Sequence, residues 1–239
     1  YPYLLYEVIC SRIFSKPVAT QGATGFFVIT TIERPDYLCR PPAIVMSKFL
    51  IAGLGNIGEE YTRTRHNIGF LVAERLAADL NKDEAGGKLF STDRLVTIHH
   101  TRFKGKGVVV IKPTTFMNLS GKAVQYWLQA EKIPVNHLLV VTDDLALPYG
   151  TLRMKKSGGA GGHNGLADII DTLQTENFPR LRFGIGSEFQ RGKQVDYVLG
   201  EWSEDEQKIL NERIDQAVLM IKSFIGIGID RTMSDFNNK

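Results

Sequence analysis

Four apolar residues, Phe49-Leu50-Ile51-Ala52, run directly into Gly53-Leu54-Gly55-Asn56-Ile57-Gly58. An apolar run this short, closed by glycines, reads as a buried β-strand. The glycines let the backbone turn sharply where the strand ends. A polar stretch then delivers His66, just before Ile68, Leu71, Val72, Leu76 and Leu80 recur at helical spacing between Asn67 and Asn81. A strand end, a glycine turn and a single histidine at a helix start form a corner suited to an active site.

The same stretch fits G-x-G-x-x-G, a dinucleotide-binding pattern. That pattern needs its last glycine at a helix start and an acid about 20 residues further on, at the end of a second strand. Here Glu59, Glu60 and Tyr61 follow the last glycine, and the acids at that distance, Glu74 and Asp79, fall inside the helix. A nicotinamide-dependent enzyme is therefore the weaker reading.

Further along, residues 94–102 and 106–112 read as a hairpin turned by Lys104-Gly105, with Gly86-Gly87 breaking the pattern before it. A helix is expected over 119–132, strands over 137–141, 151–156 and 180–186, and a helix after the glycine-rich loop Ser157 to Gly165. A long helix over 203–224 opens on the capping-box pattern Ser203-Glu204-Asp205-Glu206, and a short one is expected over 229–237. Alternating strands and helices predict an α/β fold, a single three-layer α/β/α domain. The hairpin makes its twisted sheet mixed, though mostly parallel. In such sheets ligands gather beyond the carboxyl ends of the strands. The loops there carry Asn56, His66, Asn118, Asp143, His163 and Asn164.

Residues 1–45 differ from the rest: acids are sparse, prolines and aromatics are scattered, and the first methionine is Met46. They are expected to be a leader or appended segment outside the fold, with the catalytic domain over 46–239. Both cysteines, Cys10 and Cys39, lie in this segment, so a disulfide framework or a thiol nucleophile is not expected in the domain. With no apolar stretch long enough to span a membrane, a cytoplasmic location is expected. The formal charge of +3 is mild, but a basic region from Arg153 to Lys193 adjoins an acidic one from Glu201 to Asp215. That distribution is compatible with an anionic ligand.

His66 is the candidate general base, given a carboxylate to hold its other ring nitrogen. Asp143 or its neighbour Asp144 would supply it; adjacent side chains on a strand point to opposite faces, so only one is expected to point in. No serine elbow or zinc-protease motif is present, which favours activated water over a covalent nucleophile. His66, His163 and Asp143 could in principle hold a metal, but their spacing does not indicate one. His99 and His100 point to opposite faces of a strand and make a poor metal pair. Asn56, Asn118 and Asn164 suit holding peptide carbonyls, a water or an oxyanion. Arg153, Lys155, Lys156 and Arg182, beside the glycine loop and the helix after it, could grip phosphates. A non-catalytic RNA-binding module would use those same basic residues.

Phe49 to Phe70, Lys112-Pro113-Thr114-Thr115-Phe116-Met117-Asn118-Leu119-Ser120-Gly121, Asp143 to Gly150 and Gly158 to Gly165 occur in an order and spacing that closely resemble bacterial-type peptidyl-tRNA hydrolase. The resemblance covers roughly Met46 to Asn238. It implies hydrolysis of the ester joining a peptide to the 3′ ribose of tRNA, with peptidyl-tRNA as partner, no metal or cofactor, and a monomer. It implies His66 as base and Asp143 as its partner, with Asn56, Asn118 and Asn164 holding the peptide and the attacking water. Phe116 and Met117 would line the channel, Tyr61 would lie by the tRNA terminus, and His163 would belong to a gate over the cleft. Lys155 and Arg182 would contact tRNA phosphate, with Arg153 standing where the family often has lysine. The chain departs from the family at Asp144, usually Glu, and at Ala160, often Gly or His; neither departure touches the base.

Overall fold

A computed structural model describes residues 47–81 and 89–237. The expected leader and the Gly86-Gly87 break lie outside the described residues. Seven strands, β1 (Lys48–Gly53), β2 (Ser91–Asp93), β3 (Val96–Phe103), β4 (Lys106–Pro113), β5 (Leu138–Asp144), β6 (Leu152–Lys155) and β7 (Arg180–Gly184), form one sheet in the order β2-β3-β4-β1-β5-β7-β6. The four central strands, β4-β1-β5-β7, run parallel. Antiparallel pairing is confined to β2-β3-β4 at one edge and β6-β7 at the other.

Alternation along the buried strands builds two cores. Phe49 and Ile51 of β1 face α1 (Ile68–Leu80) and α5 (Glu204–Ile227). Leu50 and Ala52 face α2 (Ser120–Ala130) and α3 (Asn164–Leu173). Leu50 and Ile51 are both fully buried, and a side chain of that kind contributes about 1.5–3 kcal/mol through burial. Two shorter helices, α4 (Gln194–Val198) and α6 (Ile229–Phe236), complete the domain. The capping box of α5 is formed in both directions, Glu206 N–H to Ser203 Oγ and Ser203 N–H to a Glu206 carboxylate oxygen.

The start of α1 presses closely on the end of β1. A Cβ on Gly69 would stand 2.4 Å from the Leu54 backbone, and one on Gly53 would stand 2.2 Å from the Gly69 carbonyl oxygen. Only glycine at both places permits that approach. It is what brings His66, at the foot of α1, to the carboxyl ends of β1 and β5.

Most expected elements form with ends shifted by one or two residues. The first hairpin strand begins at Val96, because Leu95 adopts a left-handed turn conformation with φ 63°. The residues ahead of that turn make the three-residue edge strand β2, all of it exposed and without apolar signal. Sequence periodicity also misses α4, a five-residue helix. The G-x-G-x-x-G stretch opens no α-helix. Gly58 has φ 122° and leads into a short 3-10 turn, Glu59–Tyr61, and α1 begins only at Ile68.

Candidate active site

His66 lies in a 3-10 turn, Arg65–Asn67, and its two neighbours are both buried. Asn67 faces back toward β1, where Asn56 N–H donates to Asn67 Oδ1 at 2.8 Å and Asn67 Nδ2 donates to Asn56 O at 2.9 Å. The Asn56 side chain in turn accepts the Met117 N–H at 3.3 Å. The loop after β1 is thereby closed on itself and joined to the loop after β4 before any substrate arrives.

Asp143 and Asp144 point to opposite faces, as alternation requires, and this resolves the choice between them. Asp144 pairs with Arg182 and caps Ala146 N–H. Asp143 is buried, and its Oδ1 meets His66 Nδ1 at 2.9 Å and His163 Nε2 at 3.0 Å. Burial alone would raise the Asp143 pKa; the two imidazoles, His163 foremost, outweigh it and hold the carboxyl well below the usual range. An ionised carboxylate only accepts, so His66 Nδ1 is the nitrogen that donates to it, and in a neutral ring Nε2 is the one with the lone pair. His163 is fixed independently: its Nδ1 accepts Leu166 N–H at 3.2 Å at the start of α3, so its Nε2 is the nitrogen that donates to Asp143.

His66, Asp143 and His163 offer three ligand atoms within 4.8 Å of one another, a convergence that their sequence spacing hides. The hydrogen bonds bear on what the cluster can hold. His163 Nδ1 is an acceptor and its Nε2 a donor, whereas a metal would require the Nε2 lone pair. The group suits proton transfer better than coordination.

A cavity of about 390 Å³ opens over this cluster. Asn56, His66, Phe116, Met117, Asn118, Asp143, His163 and Asn164 all line it. Phe116 is 66% exposed, an apolar ring with no core to join. Tyr61 lies outside this lining, in the 3-10 turn after Gly58. Gln194, Val195, Val198 and Leu199 form a wall from α4 that sequence reading did not anticipate. Val195 is the most exposed of its apolar residues, and its low periodicity in so short a helix left no signal.

Arg153 and Lys155 alternate with buried Met154 on β6, so both point outward, and Arg153 stands opposite Arg182 on β7. Arg182 is not a free cation, since its Nε is engaged by Asp144. Another residue that sequence reading missed, Arg180, is fully buried; it donates to the Gly159 carbonyl at 3.0 Å and the Glu176 carbonyl at 3.1 Å, tethering the glycine loop. Of the pair His99 and His100, His99 is buried, while His100 is exposed and faces Glu131.

A mixed, helix-covered sheet with an imidazole held by a buried carboxylate at its strand ends defines an α/β protein whose site is suited to general-base chemistry. Comparison with known proteins narrows this class. The family model described as peptidyl-tRNA hydrolase matches residues 50–239. The peptidyl-tRNA hydrolase of Parabacteroides distasonis is 54% identical over 192 residues, covering 80% of this chain and 100% of its own length. That of Bacteroides fragilis is 50% identical with the same coverage. A crystal structure of the Acinetobacter baumannii peptidyl-tRNA hydrolase superposes with a TM-score of 0.72 at 33% identity, covering 80% of this chain and 96% of that one. The chain belongs to the peptidyl-tRNA hydrolase family.

Proposed function

We propose that the protein hydrolyses the ester between a peptide and the 3′ ribose of tRNA, using His66 to activate water. The observation that carries this reading is the His66 Nδ1 to Asp143 contact at 2.9 Å beneath the cavity. His66 Nε2 takes a proton from water as the oxygen attacks the ester carbonyl. Asp143 stabilises the imidazolium that forms. The carbonyl oxygen becomes an oxyanion, for which the carboxamide donors of Asn56, Asn118 and Asn164 are suited. Collapse breaks the bond to the ribose 3′ oxygen, which leaves with a proton returned by His66. The products are a peptide carboxylic acid and tRNA with a free 3′ hydroxyl. No cofactor enters this sequence.

Asparagines that read the first peptide bond would separate peptidyl from free aminoacyl substrates, because an analogue lacking that amide leaves buried polar groups unpaired. An N-blocked aminoacyl-tRNA is expected to be cleaved, and the same aminoacyl-tRNA with a free amine to be cleaved far more slowly. Equal rates would refute the selection, and no cleavage of either would refute the function.

Arg153 and Lys155 are exposed beside the glycine loop, and Arg182 is tied to the strand end by Asp144. This supports a phosphate-gripping strip in which Arg182 is preset and Lys155 is the mobile contact. Lys155→Ala is expected to weaken tRNA binding and to reduce the salt dependence of log Kd by a slope of about one. Titrations at several salt concentrations measure it; an unchanged slope would remove Lys155 from the interface. Among the described residues no helix is long and apolar enough to cross a membrane. We place the protein in the cytoplasm as a monomer, in keeping with a substrate made by translation.

A further inference from the structure

The residue before the proposed base, Arg65, is a heavily anchored cation. Arg65 is 9% exposed. Its guanidinium grips the Glu206 carboxylate with both prongs, Nε to Oε1 at 3.1 Å and Nη2 to Oε2 at 2.6 Å. It lies over the ring of Tyr197 at 4.5 Å and beside that of Trp202 at 5.7 Å, and its Nη1 donates to the Tyr197 carbonyl at 3.3 Å. The Arg65 N–H donates to the Gly200 carbonyl at 3.0 Å, and Thr64 forms a bridge with Glu201. Glu206 is itself held, because it closes the capping box of α5 through Ser203 N–H at 2.7 Å. Burial would raise its pKa, but Arg65 and Ser203 keep the carboxyl below its ordinary value.

These contacts concern chemistry as well as stability. The turn carrying His66 has only three residues. Asn67 ties one side of it to the loop after β1, and Arg65 ties the other to α5 through Glu206 and to the segment before it through Gly200. The His66 ring meets Asp143 through one nitrogen. Its aim therefore depends on where the backbone of the turn is held. A displacement of about 1 Å at a reacting group can cost on the order of 100-fold in rate.

We propose that Arg65 and Glu206 are positioning residues for His66, a bidentate clamp that fixes the base relative to the cleft; the proposal rests on the reading of His66 given above. The planar fork is essential to such a clamp, and lysine cannot reproduce it. The substrate-facing asparagines are not part of it, so its loss should fall on turnover rather than on binding.

The test is steady-state cleavage of an N-blocked aminoacyl-tRNA by the full chain carrying Arg65→Lys, Glu206→Gln or Arg65→Ala, with thermal melting of each. Arg65→Lys and Glu206→Gln are expected to lower kcat about tenfold or more while KM stays within about twofold, and Arg65→Ala to lower kcat further. Turnover within about twofold of the parent in both conservative variants, or a raised KM with kcat intact, would overturn the proposal. The double variant Arg65→Met with Glu206→Met guards against simple unfolding, since an apolar pair often replaces a buried ion pair without loss of stability. If it recovers both melting temperature and kcat, the pair serves stability alone and the proposal falls. If it recovers melting but not kcat, the proposal stands. His66→Ala is run beside these variants. Activity retained there defeats the base assignment itself, whereas an inactive His66→Ala with fully active clamp variants defeats only the clamp.

Discussion

His66→Ala is expected to reduce kcat on an N-blocked aminoacyl-tRNA by about 100- to 10,000-fold, the range that a positioned general base contributes, while leaving the fold intact. The side chain is removed from a cavity wall and not from either core, so no packed apolar contact is lost. The carboxamides and the α4 wall remain in place. Substrate should still bind, and KM should change much less than kcat. A histidine side chain whose Nδ1 is committed to Asp143 has one nitrogen left to act. Near-normal turnover in the variant would therefore leave the cavity without its base and end the mechanism.

The second large effect is expected at Asp143. Asp143→Asn preserves size but replaces an acceptor-only oxygen pair with a group that also donates. Two imidazoles contact the same oxygen; His163 keeps its tautomer through Leu166 N–H, but His66 loses the partner that fixes its own. His66 is then free to place its proton on Nε2, where the lone pair is needed. A loss of about 100-fold or more in kcat is expected, by analogy with the asparagine substitution of a triad aspartate, which costs more. Activity within a few-fold of the parent would show that the carboxylate does not orient the base.

Asp143 also has a signature in stability. Its folded pKa lies below the unfolded value of about 3.9. The unfolded state thus binds more protons near that pH, and the group's contribution is fully present above about pH 4. The contribution is lost as pH falls through the folded value. Acid titration of the parent should show this loss, and Asp143→Asn should lack it. Identical acid limbs would mean that the carboxyl is not held in its ionised form.

How far the sequence leads depends on the distance over which a residue's role is set. The sheet and its helices are legible because apolar alternation and helical spacing are local. His66 and Asp143 are legible because strand-end loops are where ligands gather. Asp143 against Asp144 is not, since the choice depends on which face the buried strand turns inward and on Arg182 across β7. Asn67 and Arg65 carry no local mark of their roles. Asn67 acts on a backbone 11 residues away, and Arg65 finds its carboxylate 141 residues away. The α4 wall is hidden for a different reason: five residues are too few to show a period. The Leu166 N–H that sets the His163 tautomer is local, but the bond from His163 to Asp143 is visible only once α3 is docked.

The position of β1 has a consequence for synthesis. It is the first strand among the described residues, yet both of its partners come later, β4 at 106–113 and β5 at 138–144. An emerging chain thus leaves the apolar stretch over 49–52 without one of its two partner strands until about ninety further residues have left the ribosome, an estimate set by the separation of paired strands. Cotranslational assembly cannot proceed strand by strand from the amino end. The centre of the sheet is completed only when β5 arrives, and in that interval the apolar stretch is a target for chaperones or for misassociation.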